Sequence, residues 1–144
     1  MGYAIKIKRL VPDLREPERI YEGEWIDLRC AQDTVLKAGE YTKIRLGVAM
    51  ALPDGYEAHI VARSSTFKNW GFILTNGMSI IDNKYCGDND EWHLPVMPFR
   101  NVTVYKNERI CQFRIVKQQP PVAFIFVDEL GNKDRGGFGS TGKE

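Results

Sequence analysis

Apolar residues recur at every second position over much of this chain, and that period constrains the fold more than any other feature. Ile44, Leu46, Val48 and Met50 alternate with other residues, and so do Tyr56, Ala58, Ile60 and Ala62. Successive side chains of a strand point to opposite faces, so such runs read as half-buried β-strands. Pro53-Asp54-Gly55 lies between the two runs. Proline presets φ and glycine tolerates positive φ, so the stretch is expected to form a β-hairpin. Cys111, Phe113 and Ile115 alternate again, and Pro120-Pro121 separates that strand from Val122 to Val127. Ile5 and Ile7, Ile26 and Leu28, Phe72 to Leu74, Met78 to Ile81, and Leu94 to Tyr105 supply further short extended pieces. No window carries an i, i+3, i+4, i+7 stripe over ten or more residues. Many short strands with close turn signals imply an all-β sandwich, jelly roll or barrel.

A chain of 144 residues fits one domain. Its 20 Lys and Arg against 19 Asp and Glu give a net charge of +1. That argues against a nucleic-acid binder held by bulk phosphate attraction. The apolar runs are too short for a transmembrane helix, and Met1 to Lys6 has no signal-peptide core, so a cytoplasmic location is expected. Cys30, Cys86 and Cys111 form no C-x-x-C unit, and the two histidines form no H-E-x-x-H. Metal chemistry would therefore run on oxygen ligands. The composition breaks after Leu130: five of the fourteen residues from 131 to 144 are glycine. The expected organisation is a β body over 1–130 and a flexible tail over 131–144.

Gly137 to Lys143 comes near the phosphate-loop pattern. A true phosphate loop needs Ser or Thr after the lysine and a following helix, whereas here Glu144 follows. Phe138 stands alone among glycines that would let backbone amides approach an anion, and its ring could stack on a base. Arg63-Ser64-Ser65-Thr66 follows a strand directly and could cradle a phosphate; it could also be a plain turn. Gly71 downstream adds little by itself. Asn76-Gly77 is a hairpin signal whose backbone could also meet a base edge. Asp82 follows an apolar strand and precedes a polar turn, so it should sit at a strand end near solvent; the bland reading is a turn cap. Tyr85 alone reads as a half-buried packing residue. Gln112 lies inside an apolar strand and must find partners for its amide. Asp27, flanked by Ile26 and Leu28, could serve a cation or an arginine.

Taken together and in this order, these segments resemble the five short motifs of the trimeric dUTP pyrophosphatases (dUTPases). The R-S-S unit at Arg63, the I-D-x-x-Y-x-G unit from Ile81 to Gly87 and the terminal G-G-F-G-S-T-G match best. The acidic insertion Asp88 to Trp92 and the short tail spacing look like phage and Gram-positive versions of the family. The resemblance implies a β-jelly-roll homotrimer with active sites at subunit interfaces. It implies hydrolysis of dUTP to dUMP and pyrophosphate with Mg²⁺ bound. Asp82 would then orient and deprotonate the attacking water. Tyr85 would pack under the deoxyribose and exclude a 2′-hydroxyl. Asn76 and the neighbouring Gly77 backbone would meet the uracil, Arg63, Ser64, Ser65 and Gln112 would hold phosphate oxygens, and Gly71 and Ile81 would belong to the substrate-binding set. Asp27 would act on the metal through water. Phe138 would stack on the base, with Gly139, Ser140 and Thr141 around the outer phosphates.

The chain departs from the family pattern in three places. The first motif reads Glu24-Trp25-Ile26-Asp27-Leu28 and keeps only Asp27 and Leu28. Ser79 replaces the usual glycine of the third motif. In the fifth motif the usual arginine position is Lys133, and Arg135 stands three residues before Phe138; Arg135 is assigned to the terminal phosphate, with Lys133 as the alternative. Two other functions fit the same residues. A dCTP deaminase shares an R-S-S unit but uses a glutamate as proton shuttle. A nucleotide-bound regulator would bind a protein partner, with Asp88 to Arg100 as the candidate surface.

Overall fold

Strand β12 (Arg109–Lys117) is the longest element. In this computed structural model, which describes residues 2–19 and 24–137, β12 occupies the middle of a five-stranded sheet. Its neighbours are β3 (Ile26–Arg29) on one side and β7 (Tyr56–Val61) on the other. β2 (Glu18–Arg19) extends the sheet beyond β3, and β9 (Ser79–Ile81) extends it beyond β7. A three-stranded sheet faces it, with β10 (His93–Pro98) between β5 (Thr42–Arg45) and β8 (Phe72–Leu74). Two ribbons close the remaining edges: β1 (Lys6–Arg9) with β6 (Val48–Ala51), and β4 (Thr34–Leu36) with β11 (Val102–Val104). Every one of these pairings is antiparallel. Among the described residues the only helix is α1 (Thr66–Trp70). The architecture is all-β, as the alternation implied, and jelly-roll-like, as the resemblance implied.

The inward faces meet in one core that includes Leu28, Leu36, Ile44, Ile60, Leu94 and Phe113. Trp92 is fully buried at its centre and stands edge-on to Phe113, with ring centroids 5.2 Å apart. That geometry suits the ring quadrupoles.

Two hairpin expectations are corrected. Pro53-Asp54-Gly55 does turn the chain, with Tyr56 N donating to Pro53 O at 3.1 Å and Gly55 at φ +80°. The flanking strands nevertheless do not pair among the described residues: β6 pairs with β1, while β7 pairs with β12 and β9. Nor is Ile44 to Met50 one strand. Gly47, at φ +68°, breaks it into β5 and β6. A Cβ there would come within 2.8 Å of both Ala31 Cβ and Leu14 Cδ2, so the break needs glycine for its conformation and for its space. Asn76-Gly77 likewise joins β8 and β9, which belong to different sheets. Both turns are corners at which the chain crosses between layers.

After Lys117 the described chain runs without strand pairing to residue 137. Val122 to Val127 therefore joins no sheet, and Phe124, Ile125 and Phe126 are 84–99% exposed.

Candidate active site

The predicted site residues of the large sheet fall into two groups, one around Arg63 and one around Asp82, at opposite ends of β7, with Asn76 and Gly77 on the turn before β9 toward the Arg63 end. The first is built on a row across the large sheet. Gln112 of β12 pairs with Asp27 of β3 on one side and with Val61 of β7 on the other. Directly opposed residues share a face, so the Asp27 carboxylate and the Gln112 amide lie together. Arg63 follows β7 at this end. Its Nε lies 3.2 Å from Asp27 Oδ1, and its Nη1 donates to Arg109 O at 3.0 Å. Asp27 is 4% exposed, and its Oδ2 has no hydrogen-bond partner among the described residues, with Arg109 Nη1 3.8 Å away. Behind it, Arg29 and Glu18 form a partly buried pair, which Arg109 also approaches. Burial holds the Arg29 guanidinium below its usual range, with the neighbouring Arg15 adding to the effect. Gln112 Nε2 donates to Ala62 O at 3.2 Å.

The Ser64-Ser65 turn is pinned from beneath. Thr66 Oγ1 accepts from Arg63 N at 2.8 Å and donates to Ile110 O at 3.0 Å, and Thr66 is fully buried. Ser65 stands at the N-cap of α1, and exposed Ser64 precedes it. Gly71 ends the same helix in the left-handed conformation, at φ +68°, with Arg100 packed over it. Gly71 thus has a capping role.

The second group surrounds a cleft of about 360 Å³ beyond β9. Ile81, Asp82 and Tyr85 line it from one side, and Lys43, Glu91 and His93 from the other. Asp82 is exposed and does act as a turn cap: its Oδ1 accepts from Lys84 N at 2.7 Å. The hydrogen-bonded turn leaves Oδ2 for another donor. Asn83 Nδ2 donates to the carbonyls of Pro53 and Tyr56, both at 2.8 Å, and so ties this turn to the start of β7. The Tyr85 hydroxyl donates to Glu91 O at 2.8 Å. Asn76 and Gly77 form the exposed turn that leads into β9. Ser79 Oγ is buried without a hydrogen-bond partner among the described residues.

Ile81 pairs with Ala58, which sets Asp82 near Glu57, six residues before Arg63. At about 3.3 Å per residue, Asp82 and Arg63 lie roughly 20 Å apart within one chain. That is farther than one phosphate group can bridge. Arg135 and Lys133 are exposed on the terminal segment. Phe138, Gly139, Ser140 and Thr141 lie outside the described residues.

The tertiary roles of Thr66, Asn83 and Glu91 escaped the sequence reading. A threonine at a helix start and an asparagine in a turn are ordinary. Their importance lies in the distant carbonyls they reach, and no local spacing signals those. Of the proposed partner surface Asp88 to Arg100, the side chains of Trp92, Leu94, Val96 and Pro98 are buried, while Asp88, Asn89, Phe99 and Arg100 are exposed.

Residues 25–142 match the dUTPase family model. The chain is 54% identical over 138 residues to the SPbeta prophage-derived deoxyuridine 5′-triphosphate nucleotidohydrolase YosS of Bacillus subtilis (strain 168), covering 96% of this chain and 97% of that one. Among solved structures, a Staphylococcus bacteriophage 80alpha dUTPase variant with dUpNHpp is similar at TM-score 0.79 and 21% identity, covering 99% and 100% of the two chains. A dUTPase variant from phage phi11 of S. aureus, described with a structural Mg(II) ion, is similar at TM-score 0.75 and 18% identity, covering 89% and 99%.

Proposed function

The chain belongs to the dUTPase family and hydrolyses dUTP, and from that premise we propose that its active site is completed between subunits of a homotrimer. The separation of Asp82 from Arg63 along β7 carries this reading. One subunit would supply Asn76, Gly77, Ile81, Asp82 and Tyr85, and a neighbour Arg63, Ser64, Ser65 and Gln112. The exposed apolar run at Phe124, Ile125 and Phe126 supports it, because so large an apolar surface is rarely left in water. A closed ring satisfies such head-to-tail contacts. The deaminase alternative is not favoured, since the similar curated chain is named as a dUTP hydrolase.

In the proposed reaction, Asp82 Oδ2 takes a proton from a water as that water attacks the α-phosphorus, releasing dUMP and pyrophosphate. Arg63 and the serine turn hold phosphate oxygens where negative charge develops. Asn76 and the Gly77 backbone meet the uracil edge, Tyr85 closes the space beside C2′, and Phe138 covers the base, with Arg135 on the terminal phosphate.

Mg²⁺ fits this site in a limited way. Among the described residues no group of three His, Cys, Asp or Glu side chains could hold an ion. The nucleotide's own phosphates would bind it, with the unpartnered Asp27 Oδ2 accepting from its hydration shell. When bound, it would neutralise phosphate charge. Among the described residues no helix is long and apolar enough to cross a membrane, and a cytoplasmic site of action is proposed.

Mixing two inactive variants tests the arrangement. Asp82→Asn and Arg63→Ala subunits, unfolded together and refolded, should recover dUTP hydrolysis that neither shows alone. A mixture as inactive as its parents would place both groups in one subunit's site and overturn the shared-site reading.

A further inference from the structure

The ring of Tyr85 is 40% exposed, yet its hydroxyl is bound by the most firmly tied residue of the acidic loop. Arg45 grips the Glu91 carboxylate side-on, with Nε 2.9 Å from Oε2 and Nη2 2.9 Å from Oε1. Gly47 N donates to Oε2 at 3.2 Å. Such bidentate, charge-assisted pairs fix orientation as well as adding energy. Burial pushes the Glu91 carboxyl up, but the hydrogen bonds and charge of Arg45, with smaller help from His93 and Gly47, bring it below the usual carboxylate range. The next residue, Trp92, is a buried plug whose N donates to Val48 O at 2.8 Å and whose O accepts from Leu46 N at 3.0 Å. Glu91 is thus fixed to β5 and to the Gly47 break on its side-chain side, and to the core through its chain neighbour. Its backbone carbonyl receives the Tyr85 hydroxyl at 2.8 Å and also faces His93 Nδ1 at 3.1 Å.

We propose that Glu91, clamped by Arg45, is a positioning residue that sets discrimination against ribonucleotides by holding the Tyr85 ring in place. The inference rests on the reading that Tyr85 guards the sugar. An aromatic ring excludes a 2′-hydroxyl only if it cannot swing aside. Tyr85 lies on an exposed turn, so its packing alone does not provide that restraint. The bond to Glu91 O restrains the far end of the ring. The Arg45 clamp matters because a carbonyl on a loose loop would follow the ring instead of holding it.

The experiment measures kcat/KM for dUTP and for UTP in Tyr85→Ala, Tyr85→Phe, Glu91→Gln and the Tyr85→Phe, Glu91→Gln double variant. Tyr85→Phe keeps the ring and removes only the hydroxyl. It should lower the dUTP-over-UTP ratio about fivefold, the equivalent of one ordinary hydrogen bond. Glu91→Gln keeps size and backbone but loses the charged pair, and should lower the ratio by a similar factor, chiefly through a lower KM for UTP. The double variant should be no less selective than the worse single one, because both changes release the same ring. Arg45→Lys, which keeps the charge without the side-on grip, should fall between the parent and Arg45→Gln. A general loss of stability would change melting without this pattern in the ratio. An unchanged ratio in Tyr85→Ala would overturn the sugar-guard reading and the clamp with it. A lowered ratio in Tyr85→Ala with no change in Tyr85→Phe or Glu91→Gln, or additive losses in the double variant, would overturn the clamp alone.

Discussion

At one end of β7, Arg63 is held by a buried carboxylate, a backbone carbonyl and a pinned turn; at the other, Asp82 stands on an exposed turn with one oxygen committed and one free. The two ends meet different chemical demands. Phosphate-facing donors must stay charged and aimed, and burying Asp27 beside Arg63 aims the guanidinium at the cost of two desolvated charges. A general base must meet water, so Asp82 lies where water is. The phosphate end is therefore part of what holds the fold together, whereas Asp82 itself makes only a local turn bond through its side chain. Substitutions at the two ends should accordingly separate loss of activity from loss of stability.

The sharpest contrast should come from Asp82→Asn. The amide can still cap the turn but cannot take the proton, so kcat should fall by about 10²–10⁴ while the melting temperature stays with the parent. Melting well below the parent would make the cleft structural and erase the contrast. At the other end, Asp27→Asn leaves Arg63 and Arg109 beside a neutral group in a buried setting. It should cost roughly 3 kcal/mol of stability, read by chemical denaturation, together with activity. Denaturation midpoints equal to the parent's would show that the pair contributes nothing to the fold. Thr66→Val is a milder probe of the same end. Removing an Oγ1 that serves both Arg63 N and Ile110 O should cost about 2 kcal/mol and raise KM for dUTP more than it lowers kcat; the opposite split would move Thr66's influence to the chemical step. Smallest is Ser79→Ala in β9. Its hydroxyl is buried without a partner among the described residues, so removing it should raise stability by about 1 kcal/mol. A fall of that size in calorimetry would mean that the hydroxyl does have a partner.

Much of this was legible in the linear chain because it depends on nearest neighbours. Alternation at Tyr56, Ala58 and Ile60 or at Cys111, Phe113 and Ile115 requires strands, since only a period-two backbone can sort those side chains onto one face. The turns at Gly55 and Gly77 were visible for the same local reason: glycine tolerates positive φ. The apolar-polar break at Asp82 and the isolated carboxylate of Asp27 were visible too, because a charged group among apolar ones requires either an exit to water or a partner.

Tertiary structure decided which strand meets which. Turn chemistry specifies a reversal of direction but not the sheet in which the next strand finds hydrogen bonds, and so the two expected hairpins became corners between layers. The same limit hid Thr66, Asn83 and the Arg45–Glu91 clamp, whose partners lie 44, 27 to 30 and 46 residues away. Only the register of β9 on β7 set Asp82 and Arg63 at opposite ends of one strand. Local sequence determines backbone conformation because its energetics are local; it leaves pairing open because a strand's hydrogen-bonding groups are alike along its length, and side-chain packing across the whole core selects among the partners.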